Sequence, residues 1–217
     1  ESATHFLVSA RTTEDNELAL FMVPRDTPGL TVTGYPAMDG LRGADLALQG
    51  VAVARDARVG VDGTGLGAIE FGIDHGIAAM CAAAAGAMEM LTEITAQYLG
   101  TRKQFGTPLA SFQALQHRMA DMHVQKEIAL SMAYVAAQAL DENDPVERRR
   151  KLSAAKVLVA KAGRFIGQQA VQLHGGMGMT DELAVGDYFK TLTMCDVLLG
   201  DSDHHLKRYL EAEAVQA

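Results

Sequence analysis

The chain has 217 residues, 48% of them apolar and 21% charged. That is enough for one large or two small domains, able to bury a core without disulfides or a structural metal. A formal net charge of -8 and only two cysteines, Cys81 and Cys195, argue against general phosphate-backbone binding, a disulfide framework and a cysteine zinc site.

The longest uninterrupted apolar run, Ile77 to Ala85, falls short of the ~20 residues that span a bilayer. No cationic, signal-like segment opens the chain. The expectation is a cytoplasmic protein with neither nucleic acid nor membrane as partner. Residues 4 to 60 read as four or five short antiparallel strands. His5–Ser9 and Leu18–Val23 flank a polar turn at Thr12–Asn16, and Pro24 ends the second run. Leu30–Thr33 alternates by residue, and Leu46–Val53 offers one or two more strands. Such a sheet has edges that something else must cover.

After Gly63–Gly67 the period changes. Ala68 to Leu99 is rich in helix formers, and Ile69, Ile73, Ile77, Met80, Ala84, Ala87, Leu91, Ile94 and Tyr98 mark one buried stripe. A second helix is expected from Phe112 to Leu140, capped by Ser111. The acidic turn Asp141–Pro145 leads into a third, from Val146 to about His174, with Leu152, Lys156, Val159, Gly163, Ile166 and Ala170 on one face. Shorter helices follow at about Glu182–Leu192 and Ser202–Ala214. The fold class is α+β, mainly α: a partial antiparallel β domain followed by an up-down helical bundle. The expected domains are 1–62 and 63–217.

Two segments carry candidate chemistry. Arg102-Lys-Gln-Phe-Gly-Thr-Pro-Leu109 joins two long helices yet holds a planar cation, the amide of Gln104 and the ring of Phe105. Taken alone, it reads equally well as a connecting loop with solvated charges. Gln172-Leu-His-Gly-Gly-Met-Gly178 permits close backbone approach and offers amides to an anion, but has neither Walker nor dinucleotide-fingerprint spacing. His204 and His205 are adjacent, and His117 and His123 six apart; neither pair has metal-binding helical register, and solvated or capping roles are expected. Arg148-Arg-Arg-Lys151 reads as charge balancing on a helix face.

In this order, and together with Leu115-Gln-His-Arg-Met-Ala-Asp-Met122, these motifs closely resemble the C-terminal half of acyl-CoA dehydrogenases. The tail Asp181–Val185 with Leu199–His205 looks most like bacterial small subunits of the pimeloyl-CoA dehydrogenase type. The resemblance implies an oxidoreductase of fatty acid metabolism: a FAD flavoprotein whose residues 1–62 are the remainder of a central β domain and 63–217 the C-terminal bundle. The family's N-terminal helical domain has no counterpart, and a truncated product is expected. Arg102, Gln104, Phe105 and Gln113 match positions that contact FAD across a dimer interface. Gln172, Gly175 and Gly176 match the segment facing its adenosine and pyrophosphate. Acyl-CoA is the implied substrate, 2-enoyl-CoA the product and an electron-transfer flavoprotein the electron acceptor.

The chain departs from the family at the catalytic base, a glutamate. Leu199 occupies the commonest position and Gly76 the alternative, where the usual neighbouring arginine is Ile77. Asp74, Glu70 and Asp201 lie nearby in sequence, so the catalytic residue is left unassigned. The alternative expectation is a non-catalytic subunit that completes the FAD site of a partner chain. Either way a homo- or hetero-oligomer, dimer or tetramer, is expected.

Overall fold

The computed structural model describes residues 1–13, 16–60 and 64–216, with the backbone alone for 213–216. The middle of the expected turn at Thr12–Asn16 and the expected boundary between 62 and 63 lie outside the described residues. The chain forms two compact units, Glu1–Ile73 and Asp74–Ala217.

In the first unit, β1 (His5–Arg11) pairs antiparallel with β2 (Leu18–Pro24) over seven residues, from His5 opposite Pro24 to Arg11 opposite Leu18. The short β5 (Arg58–Val59) adds to the other edge of β2. A separate hairpin joins β3 (Leu30–Pro36) to β4 (Arg42–Leu48). Ala19, Leu20 and Val23 of the central strand β2 are buried. The long helix α1 (Gly65–Thr101) starts against this strand: a Cβ on Gly65 would lie 2.0 Å from the Leu18 carbonyl oxygen. Only glycine permits that approach.

The second unit is a helical bundle made of α1 beyond Ile73, α2 (Gln113–Ala139), α3 (Pro145–His174), α4 (Val185–Val197) and α5 (Ser202–Gln216). Helix α3 is its axis and packs on α2, α4 and α5. All six residues expected on its inner face are buried, Lys156 among them. On α1 the buried face is wider than the expected stripe, taking in Ala78, Cys81, Ala85, Met88, Thr92, Thr95 and Leu99.

Asp144 caps α3 by accepting a bond from the Val146 amide at 2.9 Å, with Pro145 at the first helical position. Ser111 does not cap α2. Its hydroxyl donates to the Pro108 carbonyl at 2.7 Å and lies 3.0 Å from Thr107 Oγ1, closing the preceding loop, while Phe112 occupies the cap. Helix α4 lies three residues later than expected at its start and five at its end, because Asp181–Ala184 forms turns.

The basic cluster is spent within the molecule: Arg148 pairs with Asp74, Arg150 with Glu147, and Lys151 with Glu142. By mean hydropathy over an 18-residue window, 1.4, α1 is long and apolar enough to cross a membrane, which a count of uninterrupted apolar residues does not reveal. Ile77, Cys81, Met88 and Leu91 on that helix are buried core.

Candidate functional site

The segment between α1 and α2 is a tight hairpin. Strand β6 (Lys103–Gln104) pairs with β7 (Thr107–Pro108), and the Leu109 amide donates to the Arg102 carbonyl at 2.8 Å. Both turn residues are left-handed, Phe105 at φ 53° and Gly106 at φ 80°. A two-residue turn of that kind suits a hairpin but disfavours a bulky first residue. The ring of Phe105 is nonetheless 92% exposed and meets Phe112 in a T-shaped contact, at 6.2 Å between centroids. An aromatic group held outward on a strained turn is placed for contact with something beyond its own core.

Beside this hairpin, where α3 ends, lies a cavity of about 620 Å³. That is within the ~300–1,000 Å³ range of small-molecule sites. Arg102 and Gln104 line it from the hairpin, Gln172 from the last turn of α3, and Gly175 and Gly176 from the turn that follows. Five of the seven expected site residues therefore share one cavity, although 68 positions separate Gln104 from Gln172. Phe105 and Gln113 do not line it.

The cavity also contains residues that were not among the expected site residues, although most lie within the motif segments. Ala114, Leu115 and Arg118 of α2 face it together, and their three- and four-residue spacing is the signal by which one residue predicts the others. Leu109, Leu173 and Met177 supply apolar wall. Tyr98, expected only in a buried stripe, stacks on His174 with centroids 4.3 Å apart. His174 Nδ1 lies 2.8 Å from the Ala170 carbonyl. A carbonyl only accepts, so Nδ1 carries the proton and Nε2 keeps its lone pair. That Nε2 is buried and has no hydrogen-bond partner. Burial holds the imidazole below its usual range, outweighing the opposing effect of the Ala170 bond. Among the described residues, no carboxylate lines the cavity. The arrangement suits an anion bearing a flat, polar group.

The two positions expected for a base meet in space. A Cβ on Gly76 would lie 2.8 Å from Leu199 Cδ1. Neither residue can take a proton. Asp74 is buried and bound by Arg148 Nε at 3.0 Å and Arg208 at 3.3 Å, which commits it to holding helices together. Asp201 caps α5, accepting from the His204 amide at 2.8 Å.

The turn that carries Leu199 is clamped from beneath. Lys156 Nζ donates to the carbonyls of Cys195 at 2.5 Å and Gly200 at 2.8 Å, with Asp196 at 3.4 Å. His205 is fully buried, not solvated: Nε2 donates to the Leu199 carbonyl at 3.0 Å, and Nδ1 accepts from Ser153 at 3.3 Å. Burial pushes its pKa down to about 4. Leu199 and Gly200 both have positive φ, 57° and 99°.

Residues 63–212 match the model of the acyl-CoA dehydrogenase C-terminal domain. The protein named "Probable acyl-CoA dehydrogenase YngJ" of Bacillus subtilis is 31% identical over 191 residues, 87% of this chain and 50% of that protein. The human mitochondrial short-chain specific acyl-CoA dehydrogenase is 27% identical over 205 residues, 93% of this chain and 49% of that one. Among solved structures, the ChsE4-ChsE5 complex from Mycobacterium tuberculosis superposes with a TM-score of 0.84 at 28% identity, covering 99% of this chain and 56% of that chain. The chain thus spans about half the length of the curated relatives it matches. With the family model matched over most of its length and this bundle beneath it, the chain belongs to the acyl-CoA dehydrogenase family.

Proposed function

We propose that this chain provides the helical half of a FAD site in an enzyme that converts an acyl-CoA thioester to its 2-enoyl-CoA. Electrons would pass to an electron-transfer flavoprotein, in a cytoplasmic oligomer. The observation that carries this reading is the cavity shared by the hairpin and the glycine turn, with its guanidinium groups, amides, orphaned His174 Nε2 and apolar wall. Those groups fit a dinucleotide. Arg102, Gln172 and the amides of Gly175–Gly176 would hold the diphosphate, and Gln104 the adjoining polar atoms. Phe105 and Gln113, outside the cavity, would meet the cofactor bound chiefly by a partner subunit. When bound, the flavin supplies the acceptor for the substrate's β-hydride. The chain's own residues bind, orient and exclude water; removal of the α-proton requires a base that Gly76 and Leu199 do not supply.

That apolar pair favours a second reading, in which the chain is a non-catalytic subunit completing the site of a partner dehydrogenase. The structural relative being a complex of two named components is consistent with it.

The first test is the visible spectrum of the purified chain after addition of FAD and desalting. A retained flavin band is expected; a colourless protein counts against a site that holds FAD on this chain. The second uses Asp74→Asn, Glu70→Gln and Asp201→Asn singly in the assembled enzyme. Unchanged turnover in all three supports the non-catalytic subunit, whereas loss of turnover with flavin and unfolding stability both retained puts the base on this chain.

A further inference from the structure

The cavity contains a second cation, Arg118, that forms no ion pair among the described residues. Arg118 Nη1 donates to Gln169 Oε1 at 2.9 Å. That partner is a neutral amide. Elsewhere in the bundle the arginines with a structural task hold carboxylates: Arg148 and Arg208 hold Asp74, Arg150 holds Glu147, and Arg164 holds Asp196. Among the described residues, Arg102 and Arg118 have no such pair, and both line the cavity. The chain carries 27 acidic side chains against 19 basic ones, yet none of the acidic ones is among the cavity's thirteen lining residues. In a protein of this net charge, two guanidiniums and no carboxylate around one concavity make a local anion trap.

We infer that Arg118, oriented by Gln169, is a second binding residue for the diphosphate of the nucleotide that occupies this cavity. The inference rests on the proposed FAD site and extends it further along α2, from which only Gln113 was expected to contact the cofactor. Two cations match the two charges of a diphosphate, and a guanidinium fixed by a neutral amide keeps its remaining donors for the ligand. Gln169 acts as a positioning residue.

The test is equilibrium binding of ADP and of adenosine to the full 217-residue chain by calorimetry, at low and high salt. The unaltered chain is expected to bind ADP more tightly than adenosine, with the preference falling as salt rises. Arg118→Gln should weaken ADP about tenfold or more and leave adenosine unchanged, as expected for loss of a charge-assisted bond. Gln169→Glu retains the arginine but places a carboxylate on it, and should weaken ADP similarly. If Arg118→Gln and Gln169→Glu bind ADP as the unaltered chain does while Arg102→Gln is weakened, the inference falls and the FAD site stands. If the unaltered chain shows no preference for ADP, both fall together.

Discussion

Two parts of the same bundle use polar side chains in opposite ways. At the α4–α5 turn every buried polar group is consumed: Lys156 satisfies three carbonyls, both nitrogens of His205 are bonded, and Asp196 accepts from Ser202 while pairing with Arg164. What that turn presents outward is Leu199, 41% exposed. At the cavity the balance is reversed. Arg102 and Arg118 have no carboxylate partner among the described residues, and His174 Nε2 has no partner at all. Buried polar groups cost stability unless bonded. Where a fold leaves a buried acceptor such as His174 Nε2 unbonded, beside exposed cations such as Arg102 and Arg118 that no carboxylate pairs with, a ligand is the natural partner; where it bonds its buried groups, it is building a wall.

The largest expected effect comes from breaking that wall. Lys156→Met keeps the aliphatic stem but leaves the carbonyls at the end of α4 without a donor, and should cost about 3 kcal/mol or more in denaturant unfolding. A loss below about 1 kcal/mol would mean that water replaces the ammonium group.

The His205 site should show itself through pH. Its folded pKa, about 4, lies below the ordinary 6.5, chiefly through burial; Lys156, Arg208 and His204 push the same way, against the bond to Leu199. Between those values the unfolded chain binds the extra proton, so stability is full above about pH 6.5 and declines as pH falls toward 4. The decline approaches about 3 kcal/mol. His205→Gln should flatten that slope in unfolding curves recorded across the window.

Asp74→Asn weakens a carboxylate held by two partly exposed arginines. An expected loss of about 2 kcal/mol is smaller than for a fully dry pair, because the arginines can rehydrate. The least effect on the isolated chain is expected from Phe105→Ala. Its ring is exposed, so the melting curve should shift by no more than about 0.5 kcal/mol. Flavin retention in the assembled oligomer should fall clearly; unchanged retention would make the outward ring incidental.

Much of the architecture was legible in the sequence. Helical periodicity located α1, α2, α3 and α5 to within a few residues, since apolar spacing reports directly on which face is buried. Local bonding at the ends was less legible. Ser111 has the chemistry of a cap, but its hydroxyl found a nearer acceptor in Pro108. The adjacent His204 and His205 look equivalent on paper, yet their side chains leave the helix about 100° apart, so one is exposed and the other fully buried. Lys156 sat in an apolar stripe, which was a visible signal, but its acceptors lie about forty residues away in sequence.

By itself the sequence determined the order of sheet and bundle, the two motif segments and the absence of an acid at positions 76 and 199. The first two are properties of composition and spacing along the chain; that positions 76 and 199 matter for a base is what the resemblance to acyl-CoA dehydrogenases implies. Only the tertiary structure decided that the two motif segments, His174 among them, share one cavity with Arg118, that positions 76 and 199 touch, and that Asp74 is already bound. Packing brings together groups far apart in sequence, and whether a polar side chain is free or bonded depends on neighbours that only packing supplies.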